Sequence, residues 1–147
     1  MELIETVEIL LVEDNALDAE LTMRGLKGGQ AAGKVTWLKD GQQAIDYLLR
    51  TGEYAGRGPG EPRLILLDLK MPRVDGIEVL RLIKAEERTR RIPVVIMTSS
   101  QEESDMVQSY DLGANSYLVK PIAFESLSEV ARQAGLYWLG MNRGSPR

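Results

Sequence analysis

The chain has 147 residues, a formal net charge of −4, and 44% hydrophobic against 27% charged residues. That is enough for one domain with a core, and it offers no polybasic surface for nucleic acid. Cysteine and histidine are both absent, which excludes disulfides, thiolate or imidazole metal sites, a Ser-His-Asp triad and a role as a histidine phosphoryl donor.

The opening residues MELIETVEIL lack a basic segment followed by a long apolar one, so they do not read as a signal peptide. No stretch approaches the ~18 apolar residues of a membrane span. The expected compartment is the cytoplasm. Val7 to Val12 is a continuous apolar run apart from Glu8, and it ends on the adjacent acids Glu13 and Asp14. Such a run suits a strand buried on both faces of a parallel sheet. Asn15 is a candidate cap for a helix over Ala16 to Leu26, whose apolar rows are Leu17 and Leu21, and Ala19, Met23 and Leu26. Gly28, Gly29 and Gly33 mark a loop, and Lys34 to Leu38 a short strand. Asp40-Gly41 is a turn, followed by helical spacing at Ala44, Ile45, Leu48 and Leu49.

Thr51 to Pro62, TGEYAGRGPGEP, reads as an irregular surface loop, a tolerated insertion rather than a binding loop. Leu64 to Leu67 is the central strand, and it stops on Asp68. Met71 and Pro72 prevent its continuation, and Asp75-Gly76 turns the chain into a helix marked by Ile77, Leu80 and Ile83. A charged segment, Glu86 to Arg91, leads to another buried strand, Val94 to Met97, ending on Thr98, Ser99 and Ser100. Met106, Val107 and Tyr110 suggest a short helix stopped at Gly113. Ser116 to Val119 is a last short strand that ends on Lys120-Pro121. Phe124, Leu127, Ala131, Ala134 and Trp138 form the core stripe of a long final helix, and Asn142 to Arg147 a mobile polar tail.

Strands alternate with helices throughout, which predicts a parallel α/β sheet covered on both faces. In such a sheet all carboxyl ends share one edge, where ligands bind. That edge receives Glu13, Asp14, Asp68, Thr98, Ser99 and Lys120. Clustered carboxylates repel unless a cation offsets them. With no nitrogen or sulfur ligands available, a hard divalent ion such as Mg2+ is the expected occupant. A metal-bound Asp68 beside Lys120 is suited to accept a phosphoryl group as an acyl phosphate, with Thr98 donating a hydrogen bond to it.

The acidic pair in LLVEDN, the LLDLKMPRVDG segment, VVIMTSS and YLVKP together resemble a two-component response-regulator receiver domain from Val7 to Pro121. The resemblance implies a doubly wound, flavodoxin-like (βα)5 fold of sheet order 2-1-3-4-5, with residues 1–141 as the domain. It implies Asp68 as phospho-acceptor, and Glu13, Asp14 and the backbone carbonyl of Lys70 as ligands of Mg2+ or Mn2+. Thr98 and Lys120 match the switch hydroxyl and lysine, and Tyr117 the aromatic switch position. Receivers that this chain resembles have a cis peptide bond before the corresponding proline, so a cis Lys120-Pro121 bond is expected to turn the ammonium back into the crevice. The EDN start with Asp18 following, the glycine-rich insert and the Tyr-Trp-Leu end of the last helix resemble the small stand-alone receivers paired with bacterial phytochromes. Lys70 stands two residues beyond the acceptor, where side chains of the family influence phosphoryl lifetime.

The expected partner is therefore a sensor histidine kinase, a bacteriophytochrome on the closer resemblance. No DNA-binding or catalytic output segment follows the last predicted helix, so output is expected through protein contacts. A phosphate sink and a phosphorylation-independent interaction module are the alternatives. An aspartyl-phosphate phosphohydrolase fits less well, because Asp68-Leu69-Lys70 puts a lysine where that class has its second acid. Apolar residues outside the core stripe of the last helix (Val130, Tyr137, Leu139 and Met141) need a cover. With Tyr110 and the strand Ser116 to Val119 they are expected to form a homodimer interface, against the alternative that Tyr137 and Leu139 cap their own domain.

Overall fold

The computed structural model describes residues 8–28, 34–121 and 123–143. Five parallel strands, β1 (Glu8–Val12), β2 (Lys34–Leu38), β3 (Leu64–Leu67), β4 (Val94–Thr98) and β5 (Ser116–Val119), form one sheet ordered β2-β1-β3-β4-β5. The helices are α1 (Ala16–Gly28), α2 (Gly41–Leu49), α3 (Gly76–Ala85), α4 (Glu103–Asp111) and α5 (Phe124–Gly135). The expected α/β order is the one observed. The predicted loop residues Gly29 to Gly33, Val7 at the start of the first predicted strand and the last four residues of the tail lie outside the described residues.

The central strands are apolar without interruption because each of their faces has its own core. Leu10, Val12, Ile65, Leu67, Val94 and Ile96 join Ala44, Leu48, Val79, Leu80 and Ile83 of α2 and α3 on one face. Ile9, Leu11, Leu64, Leu66, Val95 and Met97 join Ala19, Leu26, Leu127 and Ala131 of α1 and α5 on the other. The alternation is the period of two of an extended chain. Leu66 is completely buried, so Leu66→Ala should cost about 2–5 kcal/mol. On the α1–α5 side, a Cβ on Gly25 would collide with the carbonyl of Ser128, so only glycine lets these helices approach as they do.

Three local readings change. α1 runs to Gly28, so that glycine ends a helix instead of opening a loop, and Leu17 is 45% exposed rather than part of a buried row. The last helix does not stay regular: a π-helical segment, Leu136–Met141, follows α5 and closes with Asn142 N–H donating to Tyr137 O at 2.7 Å. The wider turn sets Trp138 and Leu139 half-buried against the second core while Tyr137 remains 49% exposed. Finally, the described residues contain no cis peptide bond, so Lys120-Pro121 is trans. The trans form is the intrinsically favoured one by about 0.5–1 kcal/mol, and Lys120 reaches the acids of the crevice from it.

Candidate functional site

Strand register assembles the site. Val12 lies opposite Leu67 in the β1–β3 pair, so Glu13 and Asp68, one residue on, emerge side by side at the carboxyl edge. The β1 end is held by Glu13 N–H donating to Leu38 O at 3.0 Å and by Trp37 Nε1 donating to Glu13 O at 2.7 Å. Asp68 N–H donates to Val12 O at 3.0 Å, and Leu69 N–H donates to Asp68 Oδ1 at 2.8 Å. A Cβ on Gly76 would strike the carbonyl of Asp68, so glycine is needed for α3 to start directly against the end of β3.

Glu13, Asp14 and Asp68 each offer a carboxylate oxygen, all within 4.8 Å of one another; Glu13 and Asp68 are buried and Asp14 is exposed. All three donors are hard oxygens, the set that Mg2+ or Mn2+ prefers. Burial, with the charge of Asp68 next, pushes the Glu13 carboxyl up to about 7 from 4.5. Lys120 supplies the compensating charge. Its ammonium lies 2.6 Å from Glu13 Oε1, 2.8 Å from Asp18 Oδ2 and 3.5 Å from Asp68 Oδ2. Burial works to lower the pKa of Lys120, but the hydrogen bonds to Asp18 and Glu13 and the charges of Asp68 and Glu13 outweigh it and leave the pKa raised. The ammonium is therefore charged at neutral pH.

On the other side of Asp68, Thr98 closes β4 and is completely buried, and its Oγ1 accepts from Ser100 N–H at 3.3 Å. Ser99 is exposed. The Ser100 hydroxyl donates to Asp105 Oδ2 at 2.6 Å, and Lys70 Nζ lies 3.2 Å from the same oxygen. The Tyr117 hydroxyl donates to Ser100 O at 3.1 Å, and its ring packs partly against the first core. Ser100 thus joins Thr98, Asp105 and Tyr117 in one chain of hydrogen bonds. Of the expected interface residues, Tyr110 is 49% exposed and not far from β5 in sequence, whereas Val130 and Leu139 pack partly on the second core.

Sequence reasoning names the acids, Thr98, Lys120 and Tyr117 but misses three partners: Asp18, Ser100 and Asp105. Asp18 had a signal. Asn15 caps α1 by accepting from Asp18 N–H at 2.9 Å, which fixes Asp18 in the first turn, directly over the strand edge. Asp105 had none, since nothing in the spacing ties α4 to Lys70, two residues beyond Asp68.

The model of the response regulator receiver domain matches residues 9–132. FilR2 of Methanothrix harundinacea strain 6Ac, a probable methanogenesis regulatory protein, is 47% identical over 135 residues, covering 92% of this chain and 85% of FilR2. The phosphorylated cyanobacterial phytochrome response regulator RcpA superposes with a TM-score of 0.90 at 37% identity, covering 97% of this chain and 100% of the RcpA chain. The Mn(2+)-bound form of the response regulator Rcp1 superposes with a TM-score of 0.88 at 37% identity, over 95% and 99% of the two chains. Rcp1 of Synechocystis is itself 40% identical over 131 residues, 89% of this chain and 88% of Rcp1. The acid cluster with its half-buried lysine, the sheet order and these matches agree, and the chain belongs to the response regulator receiver domain family of two-component phosphorelay signalling.

Proposed function

We propose that this receiver domain is a phosphorylation switch in which Asp68 takes a phosphoryl group from the histidine of a partner sensor kinase. The observation that carries this reading is the placement of a buried Asp68 beside Glu13 and Asp14, with the Lys120 ammonium 3.5 Å away. An Asp68 oxygen forms the bond to phosphorus as the phosphorus–nitrogen bond to the donor imidazole breaks, and the electron pair stays on the imidazole nitrogen. Lys120 pairs with the arriving phosphoryl oxygens, and the Thr98 hydroxyl donates to one of them. Glu13, Asp14, Asp68 and the Lys70 backbone carbonyl would hold Mg2+ or Mn2+, which when bound offsets charge on the phosphoryl group. The manganese reported for Rcp1 supports that assignment.

When Thr98 turns to the phosphoryl group it gives up its bond from Ser100 N–H, and the Ser100 carbonyl that holds Tyr117 becomes free to move. Population shift between these arrangements is the signal. Its readout is a protein contact on the face that runs from Tyr110 through Val119 to Leu136 and Tyr137, which are 49%, 38%, 39% and 49% exposed. A second copy of the chain is the partner for this face, as symmetric dimers are the commonest oligomers. The likeness to a phytochrome response regulator supports a bacteriophytochrome as the kinase. No helix among the described residues is long and apolar enough to cross a membrane. Incubation with acetyl phosphate tests the core of the reading: phosphorylation should need Mg2+ or Mn2+ and vanish in EDTA.

A further inference from the structure

At the amino edge of the sheet, opposite the acid cluster, a cavity of about 560 Å3 opens between three segments. One wall is the end of the glycine-rich insert, at Glu61 to Arg63. The second is the connection from α3 to β4, at Glu87 to Pro93. The third is the π-helical end of the chain, at Trp138. The insert and the π-helical end are the two places where the chain adds to its alternation of strands and helices, and they meet here.

Both loop walls are built. Glu61 accepts from Arg50 Nη1 at 2.8 Å and from Arg57 Nη2 at 3.2 Å, and Arg50 also donates to the carbonyls of Gly58 and Gly60. Arg57 stacks over Tyr47, 4.2 Å from its ring centre. Across the cleft, Lys84 Nζ donates to the carbonyls of Arg90 and Ile92, each at 3.0 Å, and buried Thr89 donates to Ile83 O at 2.7 Å. Surface connections are usually looser than this.

Into this frame the chain sets Arg63, Arg88, Arg90 and Arg91, beside the apolar Ile92 and the indole of Trp138. Among the described residues none of these four guanidiniums has an ion-pair partner. Glu61 is already neutralised by two other arginines, which leaves Glu87 as the one uncompensated acid of the lining. In a chain of net charge −4 this is a local concentration of positive charge. Guanidinium groups favour phosphate, and an indole face favours a planar base. The volume is that of small-molecule pockets, roughly 300–1,000 Å3.

We propose that this cleft binds a nucleotide, its phosphates held among Arg63, Arg88, Arg90 and Arg91 and its base against Trp138. Such a ligand would bridge the insert, the α3–β4 connection and the chain end, far from Asp68.

The test is calorimetric titration of the full chain with ATP in EDTA, so that no metal links the nucleotide to the acid cluster. Saturable binding with Kd below about 1 mM is expected, weakened at least about tenfold in Arg88→Ala/Arg91→Ala. Those side chains are exposed, so the variant should fold, and unchanged phosphorylation of Asp68 by acetyl phosphate would confirm that it has. Adenosine and inorganic pyrophosphate should each bind more weakly than ATP. Absence of saturable binding, equal affinity in the double variant, or pyrophosphate binding as tightly as ATP would each overturn the proposal.

Discussion

The ammonium of Lys120 lies nearer to Asp18, at 2.8 Å, than to Asp68, at 3.5 Å. The lysine proposed to pair with the phosphoryl oxygens is thus held mainly by Asp18 and by Glu13 at 2.6 Å. The three contacts compensate buried Glu13 and Asp68 and half-buried Asp18. Removing the ammonium leaves buried carboxylates without a partner, which is costly. Lys120→Ala should therefore lose about 3–5 kcal/mol in EDTA at pH 8, and Mg2+ should restore a large part. Asp18→Asn, which removes one of three acids around the same lysine, should lose about 1 kcal/mol. Denaturant unfolding of both variants checks the order; equal losses would contradict it.

Glu13 links metal to pH. Its carboxyl is pushed up to about 7 in the folded chain by burial and Asp68, above its ordinary 4.5. A carboxyl raised on folding favours the protonated native state. Its contribution to stability is full below pH ~4.5 and is lost as pH rises through about 7. Metal ligation needs the ionised form, so Mg2+ should stabilise more strongly at pH 8 than at pH 5.5. Melting temperatures with Mg2+ and with EDTA at both pH values check this. The difference should shrink in Glu13→Gln, and an equal Mg2+ effect at both pH values in wild type would contradict it.

The contact of Lys70 with Asp105 bridges the residue two beyond Asp68 to α4. Lys70 is largely exposed there, so the pair should contribute under ~1 kcal/mol to stability. Its effect should appear in motion. Asp105 also accepts from the Ser100 hydroxyl, and Glu102 N–H donates to Ser100 Oγ at 3.3 Å. Asp105→Ala should leave the unfolding midpoint nearly unchanged while amide exchange from Ser100 to Glu102 accelerates. Unchanged exchange would show that the loop is held by its backbone alone.

Strand order and the placement of the acid pair and Asp68 were legible because a parallel sheet buried on both faces writes continuous apolar runs, and the residue that ends each run falls on the ligand edge. The roles of Asp18 and Asp105 were not legible, since they arise from helix placement over that edge rather than from strand spacing. The final helix showed its stripe at Leu127, Ala131 and Ala134, all buried. Its π-helical end was hidden because the wider turn leaves no residue signature in LYWLGM. The cis bond expected before Pro121 rested on family likeness and on the need to turn Lys120 back into the crevice, and the trans bond shows that aiming Lys120 does not require it.

The exposed Tyr137, 49% accessible near the start of the π-helical segment, stands in T-shaped contact with Trp138, ring centres 5.0 Å apart. If this face joins two copies, sedimentation at micromolar concentration should give a dimer for wild type and a monomer for Tyr137→Glu. Leu139→Ala should act differently, loosening the fold, because Leu139 packs on its own core. A wild-type monomer, with and without phosphorylation, would contradict the dimer.

The central claim is the identity of the acceptor. Intact-mass measurement after incubation with acetyl phosphate and Mg2+, followed by peptide mapping, tests it most directly. The account predicts one added phosphoryl group, located on Asp68, absent in EDTA and absent in Asp68→Asn. A modification of the same size that persists in Asp68→Asn, or that maps to Asp14 in wild type, would contradict it.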